Sequence, residues 1–161
     1  MAENIKVAVR VRSFNDRERE MNSKCVVEMN GNQTTLRAPQ NDSSSGDKTF
    51  GFDYSYWSFD GFVVQDDGYL APDRGSRYCD QKRVFNDLGM GIIKNAWEGY
   101  NSSIFAYGQT GSGKSYSIVG TNANKGIVPL LCEQLFEQIR HKQDVDKEIQ
   151  LEVISNNLDF N

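Results

Sequence analysis

The stretch Gly108-Gln109-Thr110-Gly111-Ser112-Gly113-Lys114-Ser115 constrains this chain more than any other. Glycines so close together belong neither to a helix nor to a strand interior, because each forfeits stability there. The residues before them, Ser103 to Tyr107 (SIFAY), form a short apolar run suited to a buried parallel strand. A strand that runs into a glycine loop and then a helix is the setting in which the pattern G-x-x-x-x-G-K-[ST] has a physical meaning. Glycines let backbone N–H groups turn inward around an anion, and a side chain at Gly113 would obstruct that approach. Lys114 places an ammonium against the β- and γ-phosphates, and Ser115 offers a hydroxyl to Mg²⁺. The helix that starts here adds its N-terminal partial positive charge. Chance produces this pattern in a chain of ordinary size roughly once in a hundred cases. An ordinary Gly/Ser turn is the bland alternative. The weak point is the helix itself: Tyr116, Ser117, Ile118 and Val119 are mediocre helix formers, and Gly120 stops it early.

The rest of the chain fits a mixed α/β sheet domain. Ile5 to Val11 alternates apolar and basic residues, the period of a strand. Cys25 to Met29 and Gln33 to Arg37 read as two short strands joined at Asn30-Gly31-Asn32. Gln40 to Asp47 is a polar loop, and Lys48 to Trp57 returns to strand-like and aromatic character. Phe59 to Arg77, with Gly61, Gly68, Pro72 and Gly75, reads as a surface loop. Gln81 to Leu88 and Gly91 to Trp97 are expected as helical, ending at Gly99. Ile127 to Ile139 is an amphipathic helix with Leu130, Leu131, Leu135 and Ile139 on one stripe and Pro129 tolerated in its first turn. Ile149 to Ile154 alternates as a strand, and Ser155 to Asn161 is a polar tail.

Composition excludes several classes. The 161 residues carry a net charge of −4 with both signs mixed along the chain. No basic stretch marks a nucleic-acid surface, or one for any other acidic partner. Cys25, Cys79 and Cys132 are widely spaced and lack CxxC spacing, which argues against a disulfide framework or a zinc site. No apolar run approaches transmembrane length, and the opening MAENIKVAVRVRS has no signal-peptide core. A cytosolic protein with reduced thiols is the simple expectation.

At FAYGQTGSGKSYS the pattern narrows to a family. It resembles the phosphate-loop signature of kinesin motor domains, close to FAYGQTGSGKT. WEGYNSSI resembles the family's approach to that strand, IKVAVRVRSFNDRE its first strand and adenine-contacting motif, and GIVPLLCEQLF the helix after the loop. KTFGFDYSYWS resembles the kinesin-3 branch, and DGFVVQDDGYLAPDRGSRY a subgroup of it with an enlarged loop. The resemblance runs from about Ile5 to Val153, so that 5–154 match the family and 155–161 diverge from it.

This resemblance implies a central sheet of P-loop NTPase type flanked by helices, incomplete within these residues. It implies ATP and Mg²⁺ as ligands, held by residues 108–115 with Tyr116, and Ser115 as the metal contact. Arg10 and Tyr78 match the positions that flank adenine; a guanidinium and an aromatic ring both stack on a flat base. One departure matters. The family's RxRP is here Arg10-Val11-Arg12-Ser13, and losing the proline ring implies a weaker grip on the base. Taken without the resemblance, an arginine on a strand is usually solvated and a tyrosine beside a loop usually packs.

In the complete family member the resemblance implies microtubule-based movement and a cytoplasmic, cytoskeletal location. Kinesins carry the water-orienting and Mg²⁺-holding residues in two switch motifs, NxxSSRSH and DLAGSE, and neither occurs in these 161 residues. The surface that grips microtubules also lies largely after this point in the family. The expectation is therefore a truncated form that binds ATP without hydrolysis or motility and folds marginally, with apolar sheet faces exposed. A non-catalytic interaction fragment is the alternative. An unrelated small-molecule kinase would need clustered arginines after the loop, and only Lys125, Arg140, Lys142 and Lys147 follow Gly120. His141, Asp66-Asp67 and Asp144/Asp146 read as solvated charges, and Trp57 and Trp97 as space-filling residues.

Overall fold

The computed structural model describes residues 5–38 and 46–142. The strand expected at 149–154 and the tail after it lie outside them. Strand β1 (Ala8–Arg12) pairs in parallel with β5 (Tyr54–Ser58), Ala8 facing Tyr54 and Arg12 facing Ser58. The pair is tied at its start by reciprocal bonds between Val7 and Asp53: the Asp53 carboxylate accepts from the Val7 amide at 2.7 Å, and the Asp53 amide donates to Val7 O at 3.0 Å.

A three-stranded antiparallel meander, β2 (Val27–Asn30), β3 (Gln33–Leu36) and β4 (Lys48–Gly51), stands beside this pair. Its first turn has Gly31 at φ +55°, the left-handed backbone for which glycine suits a tight hairpin. The run Lys48 to Trp57 is thus two strands in two sheets, broken at Phe52-Asp53. Arg77 clamps the sheets together. Its guanidinium lies 3.7 Å from the Trp57 ring centroid and donates to Met29 O at 3.0 Å.

Helix α1 (Asp16–Glu20) is a single turn with a full capping box: Asn15 Oδ1 accepts from the Glu18 amide, and the Glu18 carboxylate accepts from the Asn15 amide, each at 2.8 Å. No element was expected at 16–20, although Asn15 and Glu18 have the N-x-x-E spacing of such a cap. Helix α2 (Gln81–Trp97) is continuous, where two helical pieces were expected. Gly89 is no break; a Cβ there would stand 2.4 Å from the Phe85 ring, so the glycine makes room for that ring. Asp80 caps the N-terminus by accepting from the Arg83 amide at 2.8 Å. At the other end the Gly99 amide reaches Ala96 O and the Tyr100 amide reaches Asn95 O, the bond pair of a glycine C-cap.

Helix α3 (Lys114–Ile118) is short, as the poor helix formers imply, and α4 (Ile127–Lys142) runs back against α2. Tyr56, Val84, Phe85, Ile93, Ile127, Leu131 and Leu135 form the core between β5, α2 and α4, with Ile93 only 2% exposed. Leu131 and Leu135 of the expected α4 stripe are in it, and Leu130 packs at its edge. Among the described residues no helix is long and apolar enough to cross a membrane.

Two expectations are corrected. Residues 59–77 are no plain surface loop: β6 (Phe62–Val64) and β7 (Leu70–Pro72) pair as a hairpin whose Tyr69 is buried. Gly68, at φ +84°, turns the chain at its tip. The second correction concerns SIFAY. Residues 103–107 form no strand, and Phe105 is 82% exposed and Tyr107 fully so. An apolar run shows that a segment gains by burial, but a strand needs edges to pair with. Among the described residues the parallel sheet consists of β1 and β5, and neither pairs with 103–107.

Candidate nucleotide site

Residues 108–115 leave the exposed 103–107 run and enter α3. The backbone turns through Gly108 (φ +152°), Gly111 (φ +78°) and Gly113 (φ +95°), and Gly113 is the left-handed N-cap of α3. The glycine requirement differs along the loop. At Gly108 a Cβ would meet Ser112 Oγ at 2.5 Å. At Gly111 and Gly113 there is room for one, and the positive φ is what excludes other residues. Lys114 curls over the loop, its Nζ donating to Gly108 O at 2.7 Å and Gln109 O at 3.1 Å. The Ser112 amide closes the turn onto Gln109 O at 3.1 Å. Gln109, Thr110, Gly111 and Ser115 are exposed, so the crest and the Ser115 hydroxyl face solvent. The first amides of α3 have no intrahelical acceptor by geometry. The loop therefore offers a cation, exposed first-turn amides and a hydroxyl on one turn of chain, a donor set suited to a polyphosphate and its Mg²⁺.

Arg12 holds this loop, a role that the strand pattern alone gave no reason to assign. Its Nε donates to Gly111 O at 2.8 Å, and its two terminal nitrogens make a bidentate pair with Glu18 at 2.7 and 2.8 Å. The hydrogen bond from Arg12, with one from the Asn15 amide, pulls the Glu18 carboxyl down to about 2. One arginine at the end of β1 thus ties the crest of the loop to the capping turn of α1.

Arg10, two residues earlier on β1, meets α3 further along, at Tyr116 and Ser117. It donates to Ser58 Oγ at 2.8 Å, Gln81 Oε1 at 2.6 Å, Ser117 Oγ at 3.1 Å and Cys79 O at 3.4 Å. These bonds lie in the guanidinium plane and leave its faces for rings. Tyr116 covers one, with 5.2 Å from Arg10 Cζ to the ring centroid. Burial lowers the Arg10 pKa, partly offset by Tyr116 and Tyr78 nearby. Tyr78 joins the same cluster but is 6% exposed, its ring 5.2 Å from that of Phe62. The Tyr116 hydroxyl is buried beside that of Tyr78. Burial raises the pKa of both tyrosines, so both stay neutral across the physiological range. Ser13, in place of the expected proline, donates to Phe59 O at 2.7 Å and so bridges the ends of β1 and β5.

The structure thus brings Arg10, Tyr78 and Tyr116 together on one flank of α3, and Lys114, Ser115 and the glycines at its start. Gln81 and Asn124, which the sequence did not single out, are buried polar residues between them (3% and 5% exposed). Their types are common on exposed helix and turn positions, so only the fold marks them. The kinesin motor domain family model matches residues 10–157, a span that contains both flanks. The chain belongs to the kinesin motor domain family. It is 44% identical over 155 residues to the kinesin-like protein KIF28 of Mus musculus, and 45% identical over 153 residues to KIF13A of Mus musculus. These matches cover 95% and 92% of the chain but only 15% and 8% of the relatives' own length. Among solved structures, a KIF14 motor with ADP in complex with a microtubule superposes with a TM-score of 0.71 at 40% identity, over 87% of this chain and 35% of that one. A KIF14 dimer in a two-heads-bound state with AMP-PNP, also in complex with a microtubule, gives a TM-score of 0.73 at the same identity. The mixed α/β architecture is thus that of the front part of a kinesin motor domain.

Proposed function

We propose that this chain binds Mg-ATP through residues 108–115, with Lys114 on the β- and γ-phosphates, Ser115 on Mg²⁺ and Arg10, Tyr78 and Tyr116 forming the base side. The observation that carries the reading is the glycine-turned loop around Lys114, held from outside by Arg12. Bound Mg²⁺ would supply charge neutralisation of the β- and γ-oxygens. The chain's own contribution is to bind and orient. Lys114 is already poised against the loop carbonyls and needs to exchange only two hydrogen bonds to meet a phosphate.

Hydrolysis asks for more. It requires a residue that orients the attacking water and a second acidic hold on the metal. Neither switch motif stands in these 161 residues. We therefore propose nucleotide binding without turnover for this chain, and place it as the ATP-binding front part of a kinesin-like microtubule motor. Microtubule-based movement and a cytoskeletal location belong to the complete motor. The two KIF14 structures, solved on microtubules with ADP or AMP-PNP, support this for the relatives. Titration with a fluorescent ATP analogue and Mg²⁺, followed by a phosphate-release assay with and without microtubules, tests both parts. Saturable binding without microtubule-stimulated release is the expected pair of results. Stimulated release would overturn the second part, and absent binding the first.

A further inference from the structure

The hairpin β6–β7 is wired into the base side of the site, and the wiring passes through residues that have no other evident task. At the hairpin's tip, the Asn124 side chain uses both its polar atoms: Nδ2 donates to Gly68 O at 2.9 Å, and Oδ1 accepts from the Leu70 amide at 2.9 Å. The Asn124 main-chain carbonyl accepts from Gln81 Nε2 at 3.1 Å. The same Nε2 donates to Tyr116 O at 2.7 Å, while Gln81 Oε1 takes the Arg10 guanidinium at 2.6 Å. The base of the hairpin has its own link. Gly61 O accepts from the Asp73 amide at 2.9 Å and from Ser76 Oγ, whose oxygen accepts from the Tyr78 amide at 3.1 Å. Phe62 packs its ring on Tyr78. The hairpin's Tyr69 is buried under the Lys82 ammonium, 4.7 Å from the ring centroid.

Both ends of the hairpin thus lead to the three residues of the base side: the tip to Arg10 and Tyr116, the base to Tyr78. None of these links reaches Gly108–Gly113 or Lys114 Nζ, which are held separately by Arg12 and by the loop's own carbonyls. We infer that Asn124 and Gln81 are positioning residues through which the β6–β7 hairpin sets affinity for the nucleoside part of the ligand, independently of its polyphosphate. The inference rests on the nucleotide reading of the loop. Its physical basis is that a buried chain of hydrogen bonds fixes one arrangement of its ends, and freeing one member releases them.

The test separates the two halves of the ligand. The whole chain is titrated calorimetrically with Mg-ATP and with Mg-tripolyphosphate, which has the charge but no base. Asn124→Ala removes both tip bonds. Asp67→Ala is the second variant; its carboxylate accepts from the Tyr69 amide at 2.8 Å on the exposed hairpin tip, so its loss leaves the core intact. Expected is about a tenfold loss of Mg-ATP affinity for Asn124→Ala, a smaller loss of about threefold for Asp67→Ala, and unchanged tripolyphosphate affinity in both. Equal losses for the two ligands would show a merely structural role and overturn the inference. Unchanged Mg-ATP affinity in both variants would overturn it too. Lys114→Ala distinguishes the failures. If it weakens both ligands by about 10- to 100-fold while Asn124→Ala changes neither, the phosphate site stands and the hairpin's role falls. If the unaltered chain binds neither ligand, the nucleotide reading falls and takes the inference with it.

Discussion

The two flanks of helix α3 are built on opposite principles. On the side proposed for the base, Arg10, Gln81 and Asn124 are buried or nearly so and joined by hydrogen bonds that also reach β5 at Ser58 and α3 at Tyr116 and Ser117, with Tyr78 buried beside them. On the phosphate side the loop crest is exposed, and the run that feeds it, 103–107, lies open with Phe105 and Tyr107 bare. The first flank is finished by local chain: β1, β5, α2 and the hairpin all lie within the described residues. The second is fed by a segment that pairs with no strand among the described residues. The difference teaches that the binding loop and its flank need not depend on one cooperative unit. Arg12 allows this, because it anchors the crest at Gly111 to Glu18 of α1.

The comparison can be broken most forcefully at the turn joining the two flanks. Gly120 sits at φ +80°, and a Cβ there would stand 2.1 Å from Asn124 O. Gly120→Ala is expected to cost about 3 kcal/mol or more, read as a lower midpoint in urea unfolding. Next comes the core under the base side. Ile93→Ala removes a side chain only 2% exposed and should cost about 2–4 kcal/mol in the same assay. The opposite flank gives the contrast: Phe105→Ser and Tyr107→Ser should change unfolding stability by no more than about 0.5 kcal/mol. They should at the same time reduce self-association measured by sedimentation, because they remove exposed apolar surface. A large stability loss from either would mean that 103–107 is packed in solution, and the two-flank contrast would disappear.

Acid should loosen the loop through Glu18, and separately the meander, where Arg37 and the Ala38 amide hold the Glu28 and Asp47 carboxyls down. The Glu18 carboxyl is held at about 2, below its unfolded value near 4.5. Its contribution is therefore fully present above pH 4.5 and lost as the pH falls towards 2. Within that window Glu18→Gln should lose the acid sensitivity of amide-exchange protection at Gly111–Gly113 while leaving the β1–β5 amides unaffected. Equal sensitivity in the variant would show that Arg12 does not anchor the loop through Glu18. The pair is partly exposed, so its effect on global stability is expected to be small.

How far the sequence reached follows the same division. The loop was legible residue by residue, because positive φ at Gly111 and Gly113 and a charged Lys114 are properties of residue type. Periodicity found β1, β2, β3 and α4 to within a few residues. Helix α1 was missed, although Asn15 and Glu18 carry the spacing of its capping box. Tertiary demands were not. Gly89 reads as a helix breaker until the Phe85 ring above it is known. The glycines of 59–77 read as a loop, although Gly68 only turns a hairpin and Tyr69 is buried. SIFAY reads as a buried strand because composition records what a segment would gain by pairing, and says nothing of whether a partner is there. Gln81 and Asn124 are invisible for the converse reason: their polar side chains are buried only because the fold brings Arg10, Tyr116 and Gly68 to them.

The claim at the centre is that Lys114 and the glycine loop clasp a polyphosphate. Calorimetric titration of Mg-ATP into the chain and into Lys114→Ala measures it directly. The loop's charge-assisted contact predicts a loss of roughly 10- to 100-fold in affinity on substitution, with the Ile93 core and thermal unfolding unchanged. Equal affinity of the two proteins, or no binding by either, would contradict it.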